Sequence, residues 1–177
     1  WSSDVCSSDL VIDAGWYAPG EWWDSVGEWK ECRDRFPNGI KEVTDYIRKK
    51  GMVPGVWLEL EVMGINCEKA KKAPDDWFFV RHGKRVYDRS RYQLDFRNPA
   101  VIEHVNEVID RVVKEYGVGY IKMDYNIEPG IGTEIGAESV GQGLLEHEKA
   151  YLNWLDGVFA RYPDLVIENC SSGGLRM

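Results

Sequence analysis

The sequence predicts an α/β fold built on a parallel sheet. Two observations carry that expectation. Apolar runs of strand length alternate with stretches of helical period, and the strand-like runs end in acidic groups, at Asp13, Glu59 and Glu61, Asp95, Asp124 and Glu168. Composition agrees with a globular chain: 44% of the 177 residues are hydrophobic, and no continuous apolar run is of membrane-spanning length, so no membrane partner is expected. A net charge of -8 argues against nucleic acid as a partner, because phosphate binding needs clustered Lys and Arg.

The first ten residues, WSSDVCSSDL, have neither strand nor helix period, and they lack the basic start and apolar run of a signal peptide. Their codons can be written as a common short-read sequencing adapter. We read residues 1–10 as adapter translation, not native sequence, and 11–177 as a stretch of a longer protein. VID at 11–13 reads as the end of a strand, followed by a long aromatic loop to Pro37. Within it GEWWDSVGEW, at 20–29, holds three of the eight tryptophans in a setting too rich in glycine and charge for core; sugar stacking, an interface or a half-buried lid all fit.

A helix is expected from Asn38 to about Lys50, with Ile40, Val43, Tyr46 and Ile47 on one face and Gly51 as its stop. MVPGVWLELE at 52–61 is a strand. Residues 65–90 read as an inserted loop with a helical turn at CEKAKKAP and a hairpin-like stretch at FFVRHGKRVYD. YQLDF at 92–96 is a further short strand, and Asn98 and Pro99 supply an N-cap and first position for a helix burying Val101, Val105, Val108, Ile109, Val112 and Val113. VGYIKMD at 118–124, a helix from about Leu144 to Arg161, and DLVIEN at 164–169 complete five strands.

A doubly wound sheet and a (β/α)8 barrel both fit this order. No glycine-rich phosphate loop follows any strand, and barrel enzymes gather polar groups at the C-terminal rim. The expected architecture is therefore α/β, a partial (β/α)8 TIM barrel of about the first five β/α units. Cys32, Cys67 and Cys170 are widely spaced with no C-x-x-C pair, so no metal site, disulfide framework or cofactor is expected, and unpaired thiols favour a cytoplasmic setting. Strand-end carboxylates joined by tryptophan-rich loops point toward carbohydrate chemistry, although any one such acid is more often a loop cap or ion-pair partner. Lys122 two residues before Asp124 places a cation on the same strand face as a carboxylate, which favours the ionised, nucleophilic form.

From Val11 to Met177 the segments resemble glycoside hydrolase family 36, the α-galactosidases or melibiases. VIDAGWY looks like that family's first-strand motif, and Trp29 through FPNGIKEV like its W…FP-G-L-K segment. GVWLELE resembles G-L-W-x-E-P-E, QLDFRNPAV resembles L-D-x-x-N-P-x-V, YIKMDYN is similar to Y-I-K-W-D-x-N, and IENCSSGGLRM to E-x-C-S-S-G-G-x-R. The resemblance implies a retaining enzyme that cleaves terminal α-linked galactose from oligosaccharides, with Asp124 as nucleophile. It further assigns Asp13 and Trp16 to the galactose 4- and 6-hydroxyl end, Trp57 to the pocket wall, Cys170 with Gly173 to the 2-hydroxyl side, and Arg91, with Arg89 close by, to a sugar-binding arginine. Lys122 and Asn126 complete the K-x-D-x-N motif.

Two departures stand out: Ala14 where the family has a second Asp, and Met123 where Trp is usual. Both bear on the glycone, and N-acetylgalactosamine is an alternative. So are a raffinose- or stachyose-synthase-type transferase and a non-catalytic sugar-binding barrel. The resemblance implies that the acid/base carboxyl lies beyond Met177, so that 11–177 is the N-terminal part of a catalytic barrel truncated at both ends and inactive by itself; homo-oligomeric assembly is an expectation for the full-length parent.

Overall fold

The computed structural model describes residues 8–17, 20–172 and 174. In chain order these form β1 (Asp9–Ile12), α1 (Ile40–Lys49), β2 (Val53–Leu58), β3 (Val62–Gly64), α2 (Glu68–Lys72), β4 (Val80–Arg81), β5 (Lys84–Arg85), β6 (Tyr87–Asp88) and β7 (Arg91–Gln93). Then come α3 (Pro99–Asp110), which runs into a π-helical turn at Arg111–Glu115, β8 (Tyr120–Met123), α4 (Val140–Arg161) and β9 (Val166–Asn169). The frame is a parallel sheet in the order β1-β2-β8-β9. β1 begins at Asp9, inside the first ten residues, and the ladder to Val53 and Pro54 is made by backbone groups that any sequence supplies.

Register decides which side chains share a face. Ile12, Val56, Ile121 and Ile167 lie in one row and Leu58, Met123 and Asn169 in another, on the face covered by the helices. Val56, Leu58, Ile121 and Met123 are essentially fully buried there with Val101, Val105, Val108 and Ile109 of α3. Trp57, Lys122 and Glu168 form a row on the opposite face. Because successive side chains alternate, Asp124 joins Lys122 on that second face.

The helices begin and end as their sequences demand. Asn98 accepts the Ala100 N–H at 2.9 Å with Pro99 at the first helical position, and Ser139 accepts the Gln142 N–H at 3.2 Å, so α4 starts four residues ahead of the expected Leu144. In α1 the buried stripe is Ile40, Thr44 and Ile47, and Tyr46 is exposed beneath Lys50. Thr44 replaces Tyr46 inside because its hydroxyl donates to Tyr116 O at 2.5 Å, which satisfies the one polar atom it buries.

One expected strand lies elsewhere. Of the strand expected at 92–96, only residues 92 and 93 lie in β7, which pairs antiparallel with β3 and β6, so among the described residues the parallel sheet has four strands, not five, and β2 lies directly beside β8. Leu94 and Phe96 do bury their side chains, but the Leu94 and Asp95 N–H groups donate to Glu61 O and Trp77 O at 2.8 Å each, which takes them away from the parallel ladder. Asp95 is consequently not a strand-end acid; it holds Arg97 at 2.6 Å. The insertion forms as expected: α2 is its helical turn, and β4 and β5 make a hairpin whose two loop residues, His82 and Gly83, both have positive φ (53° and 68°), the sign required by the tight turn that matches strand twist.

The tryptophan loop is partly core. Trp29 is 1% exposed, Trp23 is half-buried and Trp22 is 39% exposed. Its backbone runs over Gly64, whose N–H donates to Val26 O at 2.9 Å; a Cβ on Gly64 would sit 1.9 Å from Asp24 O, so only glycine admits this approach.

Candidate active site

Asp124 stands one residue past β8, with its N–H still donating to Leu58 O at 2.7 Å. The residue is 8% exposed, and its carboxylate takes several donors. Trp57 Nε1 donates to Oδ2 at 3.0 Å, Asn126 Nδ2 to the same oxygen at 2.7 Å, and the Tyr125 N–H to Oδ1 at 2.9 Å. Burial pushes this carboxyl's pKa up, but hydrogen bonds from Asn126, the Cys170 thiol, the Tyr125 N–H and Trp57 outweigh it and hold the group below the ordinary carboxylate value. It is therefore ionised at neutral pH and fixed in rotation, as a nucleophile or charge stabiliser requires.

Beside it Lys122 Nζ donates to Asp13 Oδ2 at 3.2 Å, and Asp13 Oδ1 takes the Ala14 N–H at 2.7 Å. Burial pulls the Lys122 ammonium down, while the bond to Asp13 and the charges of Asp13, Cys170 and Glu168 raise it above its usual value. Asp13 is exposed at the mouth of a cleft of about 530 Å³ that Ala14, Trp16, Trp22 and Arg35 also line. Cys170, half-buried, donates its N–H to Met123 O at 2.8 Å, which extends the sheet and sets the thiol against Asp124; burial first, then that carboxylate, pushes the thiol pKa up.

Of the residues expected at a site, Asp13, Trp57, Lys122, Asp124, Asn126 and Cys170 come together at this one rim. Gly173 lies outside the described residues. Trp16, which lines the cleft beside Asp13, is 1% exposed, and its Nε1 donates to Trp57 O at 2.9 Å, which supports the Trp57 backbone. Trp57 is itself 2% exposed, packed among Tyr17, Trp22 and Trp29, so it is core and site residue at once.

Arg91 lies behind the rim. It is fully buried, bonded through Nη1 to Glu59 and through Nη2 to Asn126 O at 2.6 Å, and its guanidinium lies 3.6 Å from the Trp23 ring centroid. Both odd-numbered positions of β7, Arg91 and Gln93, are buried, whereas Arg89, in the turn before the strand, is not. That residue is exposed, with Nη1 3.5 Å from Asn126 O and Nη2 3.5 Å from Glu128. Met123 is 1% exposed on the helix-covered face, away from Asp124.

Sequence reasoning placed Glu59 at a strand end without giving it a task. Its Oε1 accepts the Asn126 N–H at 2.5 Å and its Oε2 pairs with Arg91; burial pushes its carboxyl up against the pull of that guanidinium. Removing one partner of such a pair strands the other, at a cost of about 3–5 kcal/mol. No local signal joins residues 59, 91 and 126; only their fold does.

The family model described as Melibiase matches residues 2–177. Among curated proteins the chain is 28% identical over 170 residues to the α-galactosidase Mel36A of Lactobacillus acidophilus, and 30% identical over 175 residues to the α-galactosidase AgaA of Geobacillus stearothermophilus, with 94% of this chain covered in both cases. It spans 23% of the length of each of these relatives. Among solved structures it superposes on a variant of the G. stearothermophilus family 36 α-galactosidase AgaA in complex with stachyose, with a TM-score of 0.82 at 26% identity over 96% of this chain and 24% of that one. A second AgaA variant, in complex with raffinose, gives a TM-score of 0.80 at 25% identity over 94% of this chain and 24% of that one.

Proposed function

Given that the chain belongs to the melibiase family, we propose that its parent is a retaining glycoside hydrolase that removes terminal α-linked galactose from oligosaccharides of the raffinose and stachyose type. The observation that carries this reading is the Asp124 carboxylate, held ionised and oriented by Trp57, Asn126, Cys170 and the Tyr125 N–H at the open end of a parallel strand. The fold that suits it is a (β/α)8 barrel, of which β1, β2, β8 and β9 form part.

In the first step a carboxylate oxygen of Asp124 attacks the anomeric carbon as the glycosidic C–O bond breaks, giving a β-galactosyl ester. A second carboxyl protonates the departing oxygen, then takes the proton from the water that cleaves the ester; in retaining enzymes it stands about 5–5.5 Å from the nucleophile. We assign that acid/base to a residue after Met177, so the 177-residue chain alone is inactive. Asp13 accepts from sugar hydroxyls, Lys122 donates to one and offsets charge at the rim, and Arg89, not Arg91, supplies the sugar-facing guanidinium. With Met123 turned away, Ala14 alone bears on the glycone.

The test is hydrolysis of p-nitrophenyl α-galactoside and of the corresponding N-acetylgalactosaminide by the full-length parent, wild type against Asp124→Asn. Turnover of the galactoside, with a loss of about three orders of magnitude or more in kcat for the variant, supports the reading. Turnover of the acetamido sugar alone would move the glycone to N-acetylgalactosamine. An Asp124→Asn enzyme with wild-type kcat would end the nucleophile assignment.

A further inference from the structure

Asn126 is gripped on both sides of its own peptide. Its N–H donates to Glu59 Oε1 at 2.5 Å, and its C=O accepts from Arg91 Nη2 at 2.6 Å. Glu59 and Arg91 are bonded to each other, both side chains are wholly buried, and Arg91 is stacked on Trp23. The Asn126 side chain points to the site: Nδ2 donates to Asp124 Oδ2 at 2.7 Å while Oδ1 accepts from Ser172. The three residues come from the end of β2, from β7 and from the turn after β8, so the clamp ties the nucleophile's turn to two other elements.

We propose that the Glu59–Arg91 pair is a positioning device: it fixes the Asn126 backbone so that the Asn126 amide holds the Asp124 carboxylate ionised and in line for attack. This rests on Asp124 being the nucleophile. Neither Glu59 nor Arg91 touches substrate; they act through Asn126. The arrangement also accounts for a fully buried arginine beside a sugar site, where a substrate-binding role would need it exposed. A weakened clamp lets the Asn126 amide drift from Oδ2. The carboxylate then loses a donor to its charged form, so its pKa rises, and the acid limb of the pH–rate profile moves to higher pH.

The experiment uses the full-length parent with p-nitrophenyl α-galactoside and a double-mutant cycle of Arg91→Lys with Asn126→Ala. Lysine keeps the charge beside Glu59 but cannot bond Glu59 and Asn126 O together in one plane. The expected result is a kcat loss of about 10- to 100-fold for Arg91→Lys, with KM changed by less than about threefold and the acid limb shifted upward. In the Asn126→Ala background the same substitution should cost less than about threefold more, because the residue through which it acts is gone. Full additivity, or an effect confined to KM, overturns the proposal. Should Arg91→Lys give no soluble enzyme, Glu59→Gln, of equal size and still an acceptor, is read by the same KM-against-kcat split and acid limb. Asp124→Asn serves as the reference: if it retains wild-type kcat the nucleophile reading itself fails, whereas if it is inactive and the cycle is additive, only the clamp fails.

Discussion

Trp57 illustrates how much one side chain can carry. Its ring is core, edge-on to Trp22 at 5.8 Å and stacked near Tyr17 at 6.3 Å, while its N–H is one of the donors that hold Asp124 charged. Trp57→Phe keeps most of the packing and deletes that donor. As the proposed nucleophile, Asp124 must be ionised to act, so activity is lost as pH falls through its pKa; with one donor fewer that pKa rises, and the acid limb of kcat/KM in the parent enzyme should move upward by about 0.5–1 pH unit. A pH–rate profile that superposes on the wild type would show that Trp57 serves packing alone. The same scale explains why Arg91 and Arg89 are not separable by sequence: two arginines two residues apart, in a short strand and the turn before it, differ only in what lies behind them.

At the scale of elements, the aromatic loop is fastened to α3 by polar contacts that no periodicity shows. His104 Nε2 donates to Gly27 O at 2.8 Å, its Nδ1 accepts from Lys69 Nζ at 2.8 Å, and Arg111 bonds Glu28 O and Trp29 O at 2.9 and 3.2 Å. Burial first, then the Lys69 charge, lowers the His104 pKa to about 4 from 6.5. The folded imidazole is therefore neutral where the unfolded one takes up a proton. Its contribution to stability is complete above pH 6.5 and is lost as pH falls toward about 4, a change on the order of 3 kcal/mol. Urea unfolding of the parent between pH 7 and 4, wild type against His104→Gln, checks this: the variant should show the shallower pH dependence, and parallel curves would refute it.

For the whole molecule the parallel sheet has one face covered by helices and one that is not. Val53 and Val166 on the open face are 41% and 51% exposed, and Leu145, Leu152 and Phe159 of α4 are 55%, 58% and 39% exposed. Apolar surface of this kind drives association unless another segment covers it. The isolated 177-residue chain should self-associate at micromolar concentration, with an apparent mass by light scattering that rises with loading. A monomer with one sharp, concentration-independent melt would contradict this. Among the described residues no helix is long and apolar enough to cross a membrane.

Local patterns were legible because they depend on local physics. The Asn98–Pro99 helix start, the hairpin within FFVRHGKRVYD, the valine stripe of α3 and the strand that bears Lys122 and leads into Asp124 were all readable from spacing, since caps, turns and alternation involve residues only a few positions apart. So was the family, carried by motifs in a fixed order. The α/β class, the acid just past β8 and the chemistry such an acid suits can be read from residue order and spacing. That β7 leaves the parallel sheet, that Met123 faces the helices, that Trp29 is core, and that Arg91 joins Glu59 behind Asn126 while Arg89 faces out emerges only from packing. The reason is common to all four: which face a side chain presents, and which buried charge finds a partner, depends on strands and loops 30 to 70 residues away, and no local pattern encodes that distance.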